Sequence, residues 1–309
     1  MLTLPPALAA ALGFGAYLLL AHLTFGNRPE QIVLCAVMCA ACLGNERSRR
    51  FFRGMLPFLL FGIVYDCLKL LGSHLPGLAV QVAWPYRVDK ALFGFIAGGA
   101  RLSAGEFFGR YHAAAVDFVC GLAYLLYVYV AVGLGIYLAL GRSPERHRLL
   151  TRYGWSFFFV NLAAFITYLA LPVAPPWYVA GHGLGPADLS THPDPAALAR
   201  WDALTGVPLF ATIYARSSDV FGSVPSLHCA YPMMAFLYAR ELRKRWLNVA
   251  LLAFWALVVF SAVYLQHHYL LDTALGTAYA LAGWQIERAI TSRGTRVAPL
   301  AAAAGGMSS

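Results

Sequence analysis

Two short segments of this 309-residue chain carry side chains whose types and spacing suit covalent chemistry on phosphorus. They are Gly222-Ser223-Val224-Pro225-Ser226-Leu227-His228 and His267-His268-Tyr269-Leu270-Leu271-Asp272. His268 and Asp272 lie four positions apart, so on a helix they share a face and the carboxylate can accept a hydrogen bond from one imidazole nitrogen. The other nitrogen is then left unprotonated and nucleophilic. His228, at the start of a different expected helix, is placed to protonate a departing alkoxide and later to take the proton of an incoming hydroxyl. Pro225 suits a first helical turn, and Ser223, Ser226 and the adjacent backbone N–H groups would form an anion site there without any metal. A lone histidine at a helix end is ordinarily an interfacial residue, and His112, His182 and His192 are read that way. For His228 and His268 it is the convergence that argues for catalysis: two segments, one carboxylate partner, one expected face and a phosphate-suited turn.

Such chemistry requires the two segments to meet, which turns attention to the elements that carry them. Hydrophobic residues make up 60% of the chain and charged residues 12%, and mean hydropathy is +0.63, beyond ordinary globular composition. The natural solvent is a bilayer. Apolar runs near spanning length fall at 5–25, 31–44, 55–73, 112–141, 154–173, 224–240, 247–266 and 269–287, the second short and the fourth long enough to tilt. The expected fold is therefore all-α, a polytopic transmembrane bundle of about eight spans. Arg47, Arg49, Arg50 and Arg53 follow the second run, Arg142, Arg146, Arg148 and Arg152 the fourth, Arg240, Arg243, Lys244 and Arg245 the sixth, and Arg288, Arg293 and Arg296 the eighth. All four clusters face the cytoplasm if both termini do. The opposite face then carries 74–111, the long 174–223 loop and the turn at Gln266 and His267, where the reactive residues sit.

Other features exclude more than they assign. The net charge of +9 comes from clusters between apolar runs, the pattern that orients helices, not a stripe that binds nucleic acid. Five of the six cysteines lie inside apolar stretches, and the Cys35/Cys39/Cys42 group lacks further ligands and polar support for a metal, so it reads as helix packing. No metal and no cofactor are called for. The first run has no basic residue before it and no small-residue cleavage site, and is expected to be a retained span. Asp66 and Lys69, one turn apart within the third run, are either functional or a neutralising pair. The tail from 289 to 309 is expected to be unstructured and cytoplasmic.

At the two histidine segments the sequence resembles the type 2 phosphatidic acid phosphatase superfamily, in which one helix start ends in Ser-x-His and a later one places His four before Asp. The resemblance covers about 55–288, leaving 1–54 as a two-span extension outside a six-helix catalytic core. It implies that His268 accepts the phosphoryl group, Asp272 orients it and His228 is the acid. The phosphatases usually carry an Arg six residues before the nucleophile, where this chain has Ala262, and a Lys/Arg-containing motif where it has Ala174-Pro175-Pro176-Trp177-Tyr178. In both respects it is similar to the inositol phosphorylceramide synthase branch and its bacterial relatives, as it is in Pro225 to His228, Tyr264 to Asp272 and the segment Asp89-Lys90-Ala91-Leu92-Phe93-Gly94. The candidate substrate and phosphate contacts are Ser223, Ser226, Pro175, Pro176, Trp177, Tyr178, Lys90, Tyr264 and His267.

That likeness implies transfer of a phosphate-linked head group such as phosphoinositol from a glycerophospholipid to a lipid hydroxyl, with membrane lipids as the partners and no obligate protein partner. A diester carries one negative charge where a monoester carries up to about two, so losing the Arg favours the diester. The counter-charge is left to Lys90, Arg87 or Arg216. A phosphatase using water is the first rival; a transporter or scaffold with a proton relay is the second, though a relay gives no reason for the Pro-Ser-x-His turn. Extensive Ala, Leu and Arg usage favours a bacterial inner membrane, with the site on the extracytoplasmic side.

Overall fold

The computed structural model describes residues 5–72, 79–217 and 220–304. Residues 1–4, 73–78, 218–219 and 305–309 and the side chains of Lys69, Arg293 and Arg296, all covered by the expectations above, lie outside the described residues. The described chain is almost wholly helical. Helices α1 (Pro6–Thr24) and α2 (Pro29–Leu43) each begin with proline at the first helical position, where its missing N–H costs nothing. They form a hairpin that packs on α3 (Glu46–Gly72). Next come the short α4 (Ala83–Phe93), a two-stranded hairpin of β1 (Phe95–Ala97) and β2 (Ala100–Leu102), and α5 (Ala104–Arg110), opened by a Ser103/Glu106 capping box. Two long helices follow, α6 (Ala114–Ala139) and α7 (Pro144–Ala170).

The expected loop 174–223 is instead folded into α8 (Pro176–His182), a 3-10 turn at Ala196–Leu198, α9 (Ala199–Thr205) and α10 (Leu209–Ala215). Leu198 and Phe210 bury themselves against Cys120, Tyr124 and Leu265, and Arg200 pairs with Asp117 of α6 at 2.8 Å, so this segment is packed onto the bundle. The chain closes with α11 (Leu227–Ala239), α12 (Arg245–Tyr264) and α13 (Leu270–Ala304). The last of these continues through most of the tail expected to be unstructured.

The eight expected spans correspond to α1, α2, α3, α6, α7, α11, α12 and α13. Five of them (α1, α3, α6, α7 and α12) are long and apolar enough to cross a membrane, and α2 is a shorter apolar helix. Leu12, Leu23, Val33, Phe159, Ile166 and Val249 point outward and are exposed, which in water would be an aggregation surface and in lipid is a solvated one. The protein is an all-α polytopic helical bundle.

Helix α11 is its axis. All its residues except His228 and Phe236 are buried, against α6, α7, α12 and α13. That explains a helix of only 13 residues at the expected sixth span: its neighbours, not lipid, solvate it. Phe58 and Phe61 of α3 pack on Tyr153, Phe157 and Phe165 of α7 and on Tyr231 of α11 as the aromatic centre of the core. At one end, the Arg152 guanidinium binds both oxygens of Glu287 at 2.7 and 2.8 Å and reaches Glu241 at 2.7 Å, tying α7, α13 and the 3-10 turn that follows α11 together. Asp272 lies a rise of roughly 22 Å from Glu287 along α13, so the histidines occupy the opposite end.

Candidate active site

Helices α11 and α13 deliver the two histidine segments to one point. Their approach depends on Gly276: a Cβ there would stand 2.0 Å from the Ser226 carbonyl oxygen. This lets the Ser226 N–H donate to the Asp272 carbonyl at 3.0 Å, locking the start of α11 onto the first turn of α13. Beside them three connections run together as a short backbone ladder, in which Val173 bridges Gln81 on one side and Gly222 on the other. The Val173 N–H donates to Phe221 at 2.7 Å, and Ser223 N–H to Val173 at 3.4 Å. This ladder holds Ser223 in place.

The imidazole rings of His228 and His268 lie 5.1 Å apart, with His228 Nδ1 3.1 Å from His268 Nε2. The other ring nitrogen of His268, Nδ1, faces the Ser223 carbonyl at 3.1 Å and Asp272 Oδ2 at 3.4 Å. Both are acceptors, so Nδ1 carries the proton and Nε2 the lone pair. The sequence reading gave orientation to Asp272 alone; the structure shares it with a backbone carbonyl. Asp272 is itself fixed by the Ser223 hydroxyl at 2.5 Å and the Tyr269 N–H at 2.9 Å. Because Nε2 of His268 is bare, the 3.1 Å contact makes His228 the donor toward it.

His228 is held by two rings that nothing in the sequence singled out. Tyr124 stacks on it at 4.1 Å with its hydroxyl 3.3 Å from Nδ1, and Tyr127, one turn along α6, lies at 4.2 Å. His267 takes a different part from its neighbour. Burial, and then the adjacent His268, push it down to about 3, so it stays neutral. Its Nε2 donates to the Pro195 carbonyl at 3.0 Å and Tyr214 Oη sits 3.3 Å from Nδ1, pinning the 193–214 segment over the site.

The remaining candidates divide. Ser223, Pro175, Trp177, His228, His267 and His268 line one cavity of about 700 Å³. Ser226 is fully buried with its hydroxyl toward Cys229, and Pro225 precedes the helix instead of forming its first turn. Tyr178 is buried with its hydroxyl accepting the Asp188 N–H at 2.7 Å, and Pro176 opens α8 behind Trp177. Tyr264 donates to Asp117 at 3.0 Å and does not line the cavity. Lys90 is engaged by Glu106 at 2.9 Å and by the Tyr86 hydroxyl at 2.6 Å, and neither it nor the exposed Arg87 lines the cavity. Ala262 is fully buried, and its carbonyl takes the N–H groups of both His267 and His268.

In the segment singled out around Lys90 it is the neighbouring Asp89 that reaches the site. Its carboxylate accepts the Leu271 N–H at 3.0 Å, capping the first turn of α13 directly after His268. Burial and the nearby Asp272 charge push Asp89 up to about 6, against the pull of the Leu271 N–H. A carboxyl raised from about 4 to about 6 binds its proton more tightly when folded, so its contribution favours the fold at low pH and is lost as pH rises through about 6. Asp89→Asn keeps the acceptor and removes the charge. Its melting temperature in detergent is expected to gain on the wild type as pH rises from 4 to 7; parallel curves would refute the assignment.

Among the described residues no cluster of ligating side chains could hold a metal ion. The model of the PAP2 superfamily matches residues 103–286. A phosphoinositol dihydroceramide synthase of Bacteroides thetaiotaomicron is 36% identical over 87% of this chain and 87% of its own length. An inositol phosphorylceramide synthase of Candida albicans is 29% identical over 78% of this chain and 49% of its own, and the catalytic subunit of that synthase in Saccharomyces cerevisiae is 34% identical over 38% and 29%. No solved structure matches the chain. Site residues 223–272 all lie within the matched region, and the chain belongs to the PAP2 superfamily, in its inositol phosphorylceramide synthase-like branch.

Proposed function

We propose that this membrane enzyme moves a phosphate-linked head group, phosphoinositol, from a glycerophospholipid to the hydroxyl of a ceramide-like lipid through a phosphohistidine at His268. Nε2 of His268 attacks phosphorus in line; the N–P bond forms as the P–O bond to diacylglycerol breaks, and His228, entering the step as an imidazolium, gives a proton to the departing alkoxide and is left neutral. A lipid hydroxyl then attacks the same phosphorus, passing its proton to His228 as the N–P bond breaks. Protons and charges balance over the two steps. The site would face the extracytoplasmic leaflet of a bacterial inner membrane, opposite the arginine-rich end of the bundle.

The observation that carries this reading is the bared Nε2 of His268 held 3.1 Å from a donor histidine in a cavity whose lining, among the described residues, includes no Asp, Glu or Lys. A lining without carboxylates suits an anionic phosphodiester. Its aromatic walls, among them Trp177, Tyr124, Tyr127 and Tyr168, suit the apolar body of a lipid and the C–H faces of a cyclitol. Helix α11 starts at Leu227 with no side-chain cap, which leaves first-turn N–H groups next to His228 for the transition-state oxygens. The names of the relatives supply the head group and acceptor proposed.

Purified protein given phosphatidylinositol labelled in its head group, with and without ceramide, tests it. Label is expected to move into the ceramide product and to appear with release of diacylglycerol. Inositol phosphate or free phosphate as the sole labelled product, acceptor or not, would mean that water is the acceptor.

A further inference from the structure

The cavity's charge has a source outside the residues matched by the family model. Among the described residues its cationic lining consists of Arg28 and Arg216. Arg216 is exposed, after α10. Arg28 stands between α1 and α2, far in sequence from the histidines, yet it lines the same cavity as His228 and His268.

It is also held there. The buried Asp66 of α3 binds one Nη of Arg28 through Oδ1, while Oδ2 accepts the Tyr17 hydroxyl at 2.7 Å and the Gln31 side-chain amide at 2.8 Å. A carboxylate inside an apolar span is costly unless fully paired, and these three donors pair it. A guanidinium has five N–H donors in a rigid fork. Asp66 uses one side of the fork, and Arg28 Nε, 3.8 Å from the exposed Glu30 carboxylate, is buried without a hydrogen-bond partner. The side chain remains about one-third exposed, toward the cavity. A plain staple between helices would be served by Tyr17 and Gln31 with any neutral donor; it gives no reason for a guanidinium that lines the same cavity as His228 and His268.

We propose that Arg28 is a binding residue for the anionic phosphodiester of the donor lipid, with Asp66 positioning it. This rests on the head-group transfer reading above. It assigns the counter-charge that Lys90, committed to Glu106, does not supply and that Ala262 has no side chain to supply. The hairpin of α1 and α2 then completes the substrate site instead of flanking it.

Glycerophosphoinositol, a soluble diester, and inositol, its neutral counterpart, are the probes, with calorimetric binding in detergent and donor KM as the readouts. Because Arg28→Gln alone strands the Asp66 carboxylate, the informative protein is the double variant Arg28→Gln/Asp66→Asn, with Arg28→Lys as the charge-keeping control. Glycerophosphoinositol affinity is expected to fall about 10-fold or more and donor KM to rise in step, the range of a lost charge-assisted hydrogen bond. Inositol binding should be unchanged and Arg28→Lys intermediate. Equal diester affinity in wild type and double variant, no diester binding by wild type, or an equal loss for inositol would overturn the proposal. Arg28-dependent diester binding by a wild type that transfers nothing would sink the transfer reading alone.

Discussion

Replacing His268 by alanine is expected to reduce head-group transfer on the order of 10⁴-fold or more while leaving the fold intact, since deleting a covalent nucleophile removes the pathway and not merely one contact. The side chain is buried but sits at the cavity wall, so truncation opens space the cavity already provides. Intact labelled donor supplied without acceptor should leave an acid-labile, base-stable phosphoryl group on wild-type protein and none on His268→Ala. Asp272→Asn should be milder, about 10²–10³-fold, because the Ser223 carbonyl at 3.1 Å still selects the Nδ1–H tautomer and only the charge that stabilises the attacking imidazole is lost. Wild-type turnover by His268→Ala would end the phosphohistidine mechanism. Equal losses in the two variants would instead mean that Asp272 is needed to keep the site assembled.

The second large effect is expected at a residue with no chemistry. Gly276→Ala would set a methyl group 2.0 Å from the Ser226 oxygen, 2.8 Å from its carbon and 3.1 Å from its nitrogen. All three are backbone atoms, so no rotamer change relieves the clash, and α13 must withdraw from the start of α11. Overpacking of this kind costs about 1–3 kcal/mol. The catalytic cost is larger, because the shift breaks the Ser226–Asp272 backbone bond and parts the histidines, and a displacement of about 1 Å can cost about 10²-fold in rate. Activity and melting temperature measured on one preparation should therefore fall disproportionately, activity far more than stability. Unchanged activity would show that the helices do not meet as closely as described.

Local pattern carried much of this into the sequence. Apolar runs bounded by arginines are read directly as spans, and the His268/Asp272 spacing names its own face because a helix repeats every 3.6 residues. What stayed hidden depends on chain segments meeting across long separations. Tyr124 and Tyr127 look like any other aromatic residues of an apolar helix until α11 brings His228 between them. Asp89 was passed over for its neighbour Lys90, because a cation is the obvious partner for phosphate and only the packing of α4 on α13 shows which of the two reaches the site. Arg28 lay in a segment set aside as an extension. One signal was available there: Arg28 is a charge in the short turn between two apolar runs, on the face that the basic clusters avoid, and a charge so placed asks for a reason. The folded 174–223 segment was hidden because its helices of seven residues are too short for periodicity to register.

The 3.1 Å contact between the two imidazoles has a consequence for substrate entry. In the proposed mechanism the electron pair that attacks phosphorus is the one that here accepts a neighbour's proton. A reacting phosphorus sits about 3–3.5 Å from its attacker and keeps the leaving oxygen between itself and the acid, so the rings have to separate before anything happens. Reactivity is thereby conditional on occupancy: an arriving lipid unmasks the group that will cut it, and small electrophiles that cannot wedge the pair open meet a quenched surface.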